Sequence, residues 1–310
     1  MSFAFIFPGQ GSQSVGMLAG LAKSHSIVTN TFNEASNALG YDLWALVQDG
    51  PADDLNQTDR TQPAMLTAGV ACWRVWQEQG GAMPSMMAGH SLGEYTALVC
   101  AGAMSLTDAV TLVADRGRFM QDAVPAGEGA MAAVLGLDDD AVIAVCSDAA
   151  EDDVLSAVNF NSPGQVVIAG STAAVERATV VAKERGAKRA LVLPVSVPSH
   201  CALMEPAAAK LAQRLAGIEI SSPQIPVINN VDVAWPTEPD AIRAALVSQL
   251  SNPVRWVETI NNMAAEGVST VVECGPGKVL TGLNKRINKQ VPAAPLFDDV
   301  SLAAALDAVK

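Results

Sequence analysis

The chain has 310 residues, half of them hydrophobic and only 16% charged, so it can bury a substantial core as one large domain or a domain carrying an insertion. Its 19 Lys and Arg against 32 Asp and Glu give a formal net charge of −13, which disfavours binding to a nucleic-acid backbone. Five scattered cysteines with no CxxC, and only three histidines (His25, His90 and His200), argue for reduced core thiols and against a disulfide frame or a metal site.

The apolar run 3–7 is short and the first basic residue is Lys23, so it reads as a strand and not as a signal peptide. It feeds the loop Pro8-Gly9-Gln10-Gly11-Ser12-Gln13, and a helix is expected after Gly16. A second helix fits 63–77, up to the break at Gly80-Gly81. Residues 85–88 then form a short buried strand that runs into Gly89-His90-Ser91. Helices follow over 94–100 and 108–121, the latter preceded by the capping pattern Ser105-Leu106-Thr107-Asp108.

From Pro125 the texture changes. Strands are expected at 131–135, 154–159, 165–169 and 191–195, with helices at 138–147 and 172–185. The order β-α-β-β-α-β is that of the ferredoxin-like split unit, so 125–197 reads as a small subdomain inserted into the larger one. The larger unit, 1–124 and 198–310, resumes with a helix at 205–216, a strand at 225–229 and a helix at 240–250. Asn252 is expected to cap a further helix with Pro253 at its first position and Gly267 at its end. A strand at 270–273 turns at Gly275-Pro276-Gly277. Strands alternating with helices argue for a mostly parallel sheet covered on both faces. The long uncharged stretch 154–175 holds Asn159, Asn161, Pro163 and Gln165, which a bilayer would not accept, so no membrane span and a cytoplasmic location are expected.

Gly89-His90-Ser91-Leu92-Gly93 fits G-x-S-x-G, the strand-to-helix turn that exposes a nucleophilic serine. The helix after it would present its N-terminus to the negative charge of a tetrahedral intermediate. A close-packed turn is the alternative. The serine needs a base. His90 is adjacent and its side chain diverges from Ser91, whereas His25 sits in a polar helical region. His200, in Pro198-Ser199-His200, lies where the insertion rejoins the main domain, a usual place for a site. No acid stands in a distinctive position to complete a triad, but a backbone carbonyl can orient an imidazole as well.

Six motifs occur in order: Phe7-Pro-Gly-Gln-Gly-Ser-Gln13, Gly89-His-Ser-Leu-Gly-Glu94, Arg116-Gly-Arg-Phe-Met120, Asn159-Phe-Asn-Ser-Pro-Gly-Gln165, Pro198-Ser-His200 and Glu273-Cys-Gly-Pro-Gly-Lys278. Together they closely resemble the malonyl-CoA:acyl carrier protein transacylases of bacterial type II fatty acid synthesis, over nearly the whole chain. The resemblance implies an α/β-hydrolase-like large subdomain with a ferredoxin-like insertion. It implies Ser91 as the acylated nucleophile and His200 as its base, oriented by the main-chain carbonyl at Gln249. Gln10 and Leu92 match the two backbone donors of the oxyanion hole. Arg116 matches the arginine that holds the free carboxylate of the malonyl group, although by itself a helix arginine there would be read as pairing with neighbours around Asp115 or with Asp122. Asn161 is carried as a supporting residue, and His90 stands near enough to touch a substrate or merely packs.

The substrates implied are malonyl-CoA and the phosphopantetheine thiol of acyl carrier protein, with no bound cofactor and a monomeric enzyme. Leu92 after the nucleophile favours malonyl over methylmalonyl groups, while Ser199 lacks the bulky residue of malonyl-selective modular synthase domains. Two basic clusters, Lys183, Arg185, Lys188 and Arg189 and then Lys278, Lys285, Arg286 and Lys289, are either solvated faces or a docking patch for an acidic carrier. A serine hydrolase with the same Ser91 and His200, and a non-catalytic scaffold that binds carrier protein, are the competing readings.

Overall fold

A computed structural model describes residues 2–195 and 197–310; Ser196, inside the segment 125–197, lies outside the described residues. Among the described residues nine strands occur in chain order: β1 (Phe3–Phe7), β2 (Met86–Gly89), β3 (Gly129–Leu135), β4 (Leu155–Ser162), β5 (Gln165–Ser171), β6 (Arg189–Val192), β7 (Val227–Ile228), β8 (Thr270–Cys274) and β9 (Ala293–Leu296). Five of them form a wholly parallel sheet in the order β7-β2-β1-β8-β9.

The central strand β1 is buried on both faces, as parallel strands are. Alternation splits it: Phe3, Phe5 and Phe7 enter one core with the Thr58–Glu78 helix, while Ala4 and Ile6 enter another with Trp256 and Ile260. Phe5 meets Trp73 and Trp76 edge-on at 5.3 and 5.1 Å, a geometry that adds to simple apolar burial. In register, Phe7 lies beside Gly89, so the loop after β1 and the loop after β2 leave the sheet together at its carboxyl end, where open parallel sheets bind ligands.

The other four strands form an antiparallel sheet, β4-β5-β3-β6, with the connections β-α-β-β-α-β. Helices Asp139–Ala150 and Thr172–Glu184 pack Val142, Val145 and Ala178 against Ala132 and Val134 of β3. All five cysteines are free, and four of them are buried.

Several element bounds differ from the sequence expectation for identifiable reasons. The helix expected from residue 63 begins at Thr58 and runs past Pro63. Its first turn is held by Thr61, whose N–H donates to the Gln57 carbonyl (2.7 Å) and whose hydroxyl donates to the Leu55 carbonyl (2.6 Å). The helix expected after Gly16 is two, Ala19–Ser24 and Ser26–Leu39. Asn252 does not cap a helix. Residues around Pro253 are extended, because Val254 pairs with β4: its N–H donates to the Val158 carbonyl (2.8 Å) and its carbonyl accepts from Phe160 N–H (3.0 Å). The helix starts only at Trp256, and the Asn252 amide turns back to the Ser248 carbonyl at 2.8 Å. The strand expected over 191–195 is β6 at Arg189–Val192; beyond it Leu193, whose N–H still donates to the Met131 carbonyl of β3 (2.8 Å), and Val195 line the cavity that holds Ser91. Beyond Gly277, where no element was expected, lie the Val279–Ile287 helix, β9 and the Asp299–Ala308 helix, the last opened by a capping box at Asp298 and Ser301. Among the described residues no helix is long and apolar enough to cross a membrane.

Candidate active site

Ser91 sits between the end of β2 and the Gly93–Cys100 helix with φ 51°, a left-handed conformation that few non-glycine residues adopt. The turn is possible because its flanks are glycines in backbone contact. A Cβ on Gly89 would lie 1.8 Å from the Gly93 carbonyl carbon, and one on Gly93 would lie 2.1 Å from the Phe7 carbonyl oxygen. Gly93→Ala is therefore expected to destabilise the protein by about 3 kcal/mol or more, since backbone rather than a flexible side-chain tip must give way. An unchanged urea midpoint would show that the turn can open without cost.

The turn is clamped from the adjacent edge strand by Asn230, two residues beyond β7. Ser91 N–H donates to Asn230 Oδ1 and Asn230 Nδ2 donates to the Gly89 carbonyl, both at 2.7 Å. This arrangement occupies the Ser91 amide. Among the described residues, neither Gln10 N–H nor Leu92 N–H has an acceptor, and both residues line the cavity into which Ser91 opens. His90 N–H donates to the Phe7 carbonyl at 2.9 Å, which holds the Gln10 loop against the turn.

His200 is 3% exposed and also left-handed, φ 68°. Its Nδ1 lies 2.7 Å from the Gln249 carbonyl oxygen and its Nε2 2.8 Å from Ser91 Oγ. A carbonyl only accepts, so Nδ1 carries the hydrogen and Nε2 is left as an acceptor for the Ser91 hydroxyl. Burial, with the nearby Arg116 cation adding to it, pushes the imidazole pKa down to about 3.

Arg116 belongs to the Leu106–Ala123 helix and is 1% exposed. It does not make the surface pairs open to a helix arginine: Asp115 accepts from Arg118 and Arg214, and Asp122 pairs with Lys210. Instead Nη1 donates to Gln62 Oε1 (2.8 Å), and Nη2 donates to Gln249 Oε1 (2.9 Å) and to Ser91 Oγ (3.3 Å). The Tyr95 ring lies under the guanidinium at 5.3 Å. Burial lowers the Arg116 pKa from its usual value, as expected of a cation out of water whose partners here are neutral amides and a hydroxyl.

The cavity these groups enclose is about 130 Å³. Gln10, Ser91, Leu92, Arg116 and His200 face it, with Met120, Met131, Leu193 and Val195 as apolar walls. Ser91, His200, Arg116, Gln249, Gln10 and Leu92 thus lie together. His90 and Asn161 lie beside them and bind each other, His90 Nε2 to Asn161 Oδ1 at 2.7 Å, with the His90 ring 5.4 Å from that of Trp256. Three members were not found from the sequence. Gln62 precedes a proline that hides its helical turn, Asn230 follows a two-residue strand, and Glu94 ends the G-x-S-x-G-E run with no local sign of what it bonds. Glu94 is buried, its Oε2 accepting from Asn230 N–H (3.0 Å) and Gln249 Nε2 (2.7 Å), and burial pushes its carboxyl pKa up to about 7. Chemically, the site offers a serine hydroxyl bonded to a neutral base, two open amides for an oxyanion and one buried cation for an anionic group.

Residues 4–304 match the family model of the acyl transferase domain. The chain is 64% identical over 305 residues to the malonyl CoA-acyl carrier protein transacylase of Escherichia coli K12, covering 98% of this chain and 99% of that one. It is 46% identical over 308 residues to the transacylase of the same name from Bacillus subtilis, with 99% and 97% covered. Among solved structures, an acyl carrier protein S-malonyltransferase from Vibrio cholerae superposes with TM-score 0.96 at 62% identity over all of both chains. A malonyl-transacylase solved in complex with its type II PKS acyl-carrier protein superposes with TM-score 0.98 at 58% identity, covering 99% and 100%.

Proposed function

The chain belongs to the malonyl-CoA–acyl carrier protein transacylases of the acyl transferase domain family, and we propose that Ser91, His200 and Arg116 carry its reaction. It moves a malonyl group from malonyl-CoA to acyl carrier protein, by a ping-pong route through a serine ester. Malonyl-CoA enters with its free carboxylate on Arg116, where a guanidinium fork meets a carboxylate in parallel charge-assisted bonds. His200 Nε2 takes the Ser91 proton as Oγ attacks the thioester carbonyl. The Gln10 and Leu92 amides receive the oxyanion, the C–S bond breaks, and the proton on Nε2 passes to the departing CoA thiolate. The phosphopantetheine thiol of the carrier then attacks the malonyl ester with His200 again as base, and Ser91 regains its proton. The main-chain carbonyl of Gln249 keeps the imidazole tautomer throughout, in the place of a triad carboxylate.

The observation that carries this reading is the position of Ser91 Oγ, 2.8 Å from His200 Nε2 and 3.3 Å from Arg116 Nη2. A nucleophile that shares its surroundings with a buried cation suits an acyl group bearing a negative charge. Intact-protein mass spectrometry after brief exposure to malonyl-CoA alone, then to carrier protein, tests it. One malonyl adduct on the Ser91 peptide, discharged by the carrier, is expected. An adduct lost to water before the carrier arrives would instead mark a hydrolase, and no adduct a scaffold.

The pH dependence follows from His200. The base works only when neutral, and a pKa near 3 keeps it neutral far below the ordinary histidine value of 6.5. The single-turnover acylation rate should therefore stay level from pH 8 down to about pH 5 and fall only as the lowered value is approached. An acid limb centred near 6.5 would show a solvated imidazole.

The large subdomain takes 1–124 and 198–310, and the small one 125–197. Both basic clusters are exposed, and we place carrier docking on the faces around Arg189 and Lys285. The enzyme acts as a cytoplasmic monomer with no resident cofactor or metal.

A further inference from the structure

Glu94 takes no part in the cycle above, yet it is 2% exposed and sits in the first turn after the nucleophile. Its Oε2 accepts both Asn230 N–H and Gln249 Nε2, at 3.0 and 2.7 Å. The Gln249 amide nitrogen also donates to the Ser91 carbonyl oxygen at 3.1 Å. A carbonyl and a carboxylate oxygen require donors, so the nitrogen end of the amide has to face them. That leaves Gln249 Oε1 turned toward Arg116, whose Nη2 it receives at 2.9 Å. The guanidinium is thus gripped at two corners, by Gln62 on Nη1 and Gln249 on Nη2.

We propose that Glu94 is a positioning residue for acyl selection: its Oε2 sets the Gln249 amide, and through it the direction in which Arg116 meets the malonyl carboxylate. This rests on the reading of Arg116 given above. Without the acceptor at position 94, the amide loses its shortest bond, and Arg116 keeps one fixed corner and a flexible stem. The role lies in the acceptor and not in the charge. Both donors reach a single oxygen, which an amide oxygen can replace, and a proton on Oε1 leaves Oε2 free to accept.

The test compares Glu94→Gln and Glu94→Ala in single-turnover acylation by malonyl-CoA and by acetyl-CoA, a thioester without the carboxylate. Glu94→Gln should stay within about threefold of the parent with both donors, since a neutral amide oxygen restores the same bonds. Glu94→Ala should lose about 10- to 100-fold with malonyl-CoA and little with acetyl-CoA, the loss expected when a binding group is misplaced by about an ångström. Equal losses with both donors would show that Glu94 supports the nucleophile instead, and a Gln variant as poor as Ala would show that its charge matters; either overturns the proposal. If Glu94→Ala does not fold, Gln249→Met removes the same relay from its other end and must lower the malonyl-to-acetyl ratio; an unchanged ratio overturns the proposal as well. Arg116→Ala run in parallel separates the two levels. If it keeps the ratio, the reading of Arg116 fails. If it loses the ratio while Glu94→Ala keeps it, only the role of Glu94 fails.

Discussion

Ser91→Ala is expected to leave no malonyl ester on the protein, and His200→Ala to slow ester formation by about 10⁴-fold or more, the scale seen when one member of a nucleophile–base pair is removed. The two groups form one device. The hydroxyl is a weak nucleophile until Nε2, 2.8 Å away, takes its proton, and Nε2 is an acceptor only because Nδ1 is held by the Gln249 carbonyl at 2.7 Å. Removing both should therefore cost hardly more than removing either, because neither acts without the other. Mass spectrometry of the intact chain after exposure to malonyl-CoA measures this directly. A malonyl label persisting in Ser91→Ala would place the nucleophile elsewhere, and ester formation at the parent rate in His200→Ala would mean that another group takes the proton.

For Arg116→Ala, kcat/KM for malonyl-CoA should fall by about 10²- to 10³-fold, equivalent to the few kcal/mol lost when one partner of a buried charge-assisted pair is removed. Acetyl-CoA should lose far less, or gain. The asymmetry follows from what surrounds the guanidinium, which is buried and bonded to two amide oxygens and one hydroxyl. An anionic acyl group completes this environment, whereas an uncharged one leaves the cation with its amide and hydroxyl partners and only the buried Glu94 carboxyl nearby, in a space from which it also removes water. The malonyl-to-acetyl ratio is the discriminating measurement. A ratio that survives the substitution would mean that the carboxylate is held elsewhere.

How much of this was legible beforehand depended on the range of the interaction. The Ser91 turn could be read because its requirement is local: two glycines, an apolar strand and a helix within a few residues. His200 followed from scarcity, there being three histidines, and from its place beside the insertion. The parallel sheet and the β-α-β-β-α-β order of the small subdomain came from periodicity, with strand ends displaced by a few residues. Arg116 could not be told from a surface helix arginine, because what distinguishes it, Gln62 and Gln249, comes from residues 54 and 133 positions away. Asn252 failed for the converse reason. Asn-Pro is a good helix start in isolation, but pairing of Val254 with β4 holds that segment extended. Asn230 and Glu94 carried no local signal, since a buried amide and a buried carboxylate gain meaning only from the groups folded against them.

The placement of Gln249 bears on the order in which the enzyme is made. It bonds the Ser91 carbonyl across 158 positions of sequence, and its own carbonyl orients a histidine 49 positions before it. On a ribosome, the nucleophile emerges with its strand and glycines long before the residue that aims its base has been translated. A chain stalled short of Gln249 would hold Ser91 and His200 without the carbonyl that Nδ1 donates to, so its imidazole tautomer would not be fixed. Contacts this distant are closed late, after the loop entropy of the intervening segments has been met. The onset of acylation in a refolding experiment is therefore a clock for the last step of assembly, and it should trail the recovery of secondary structure.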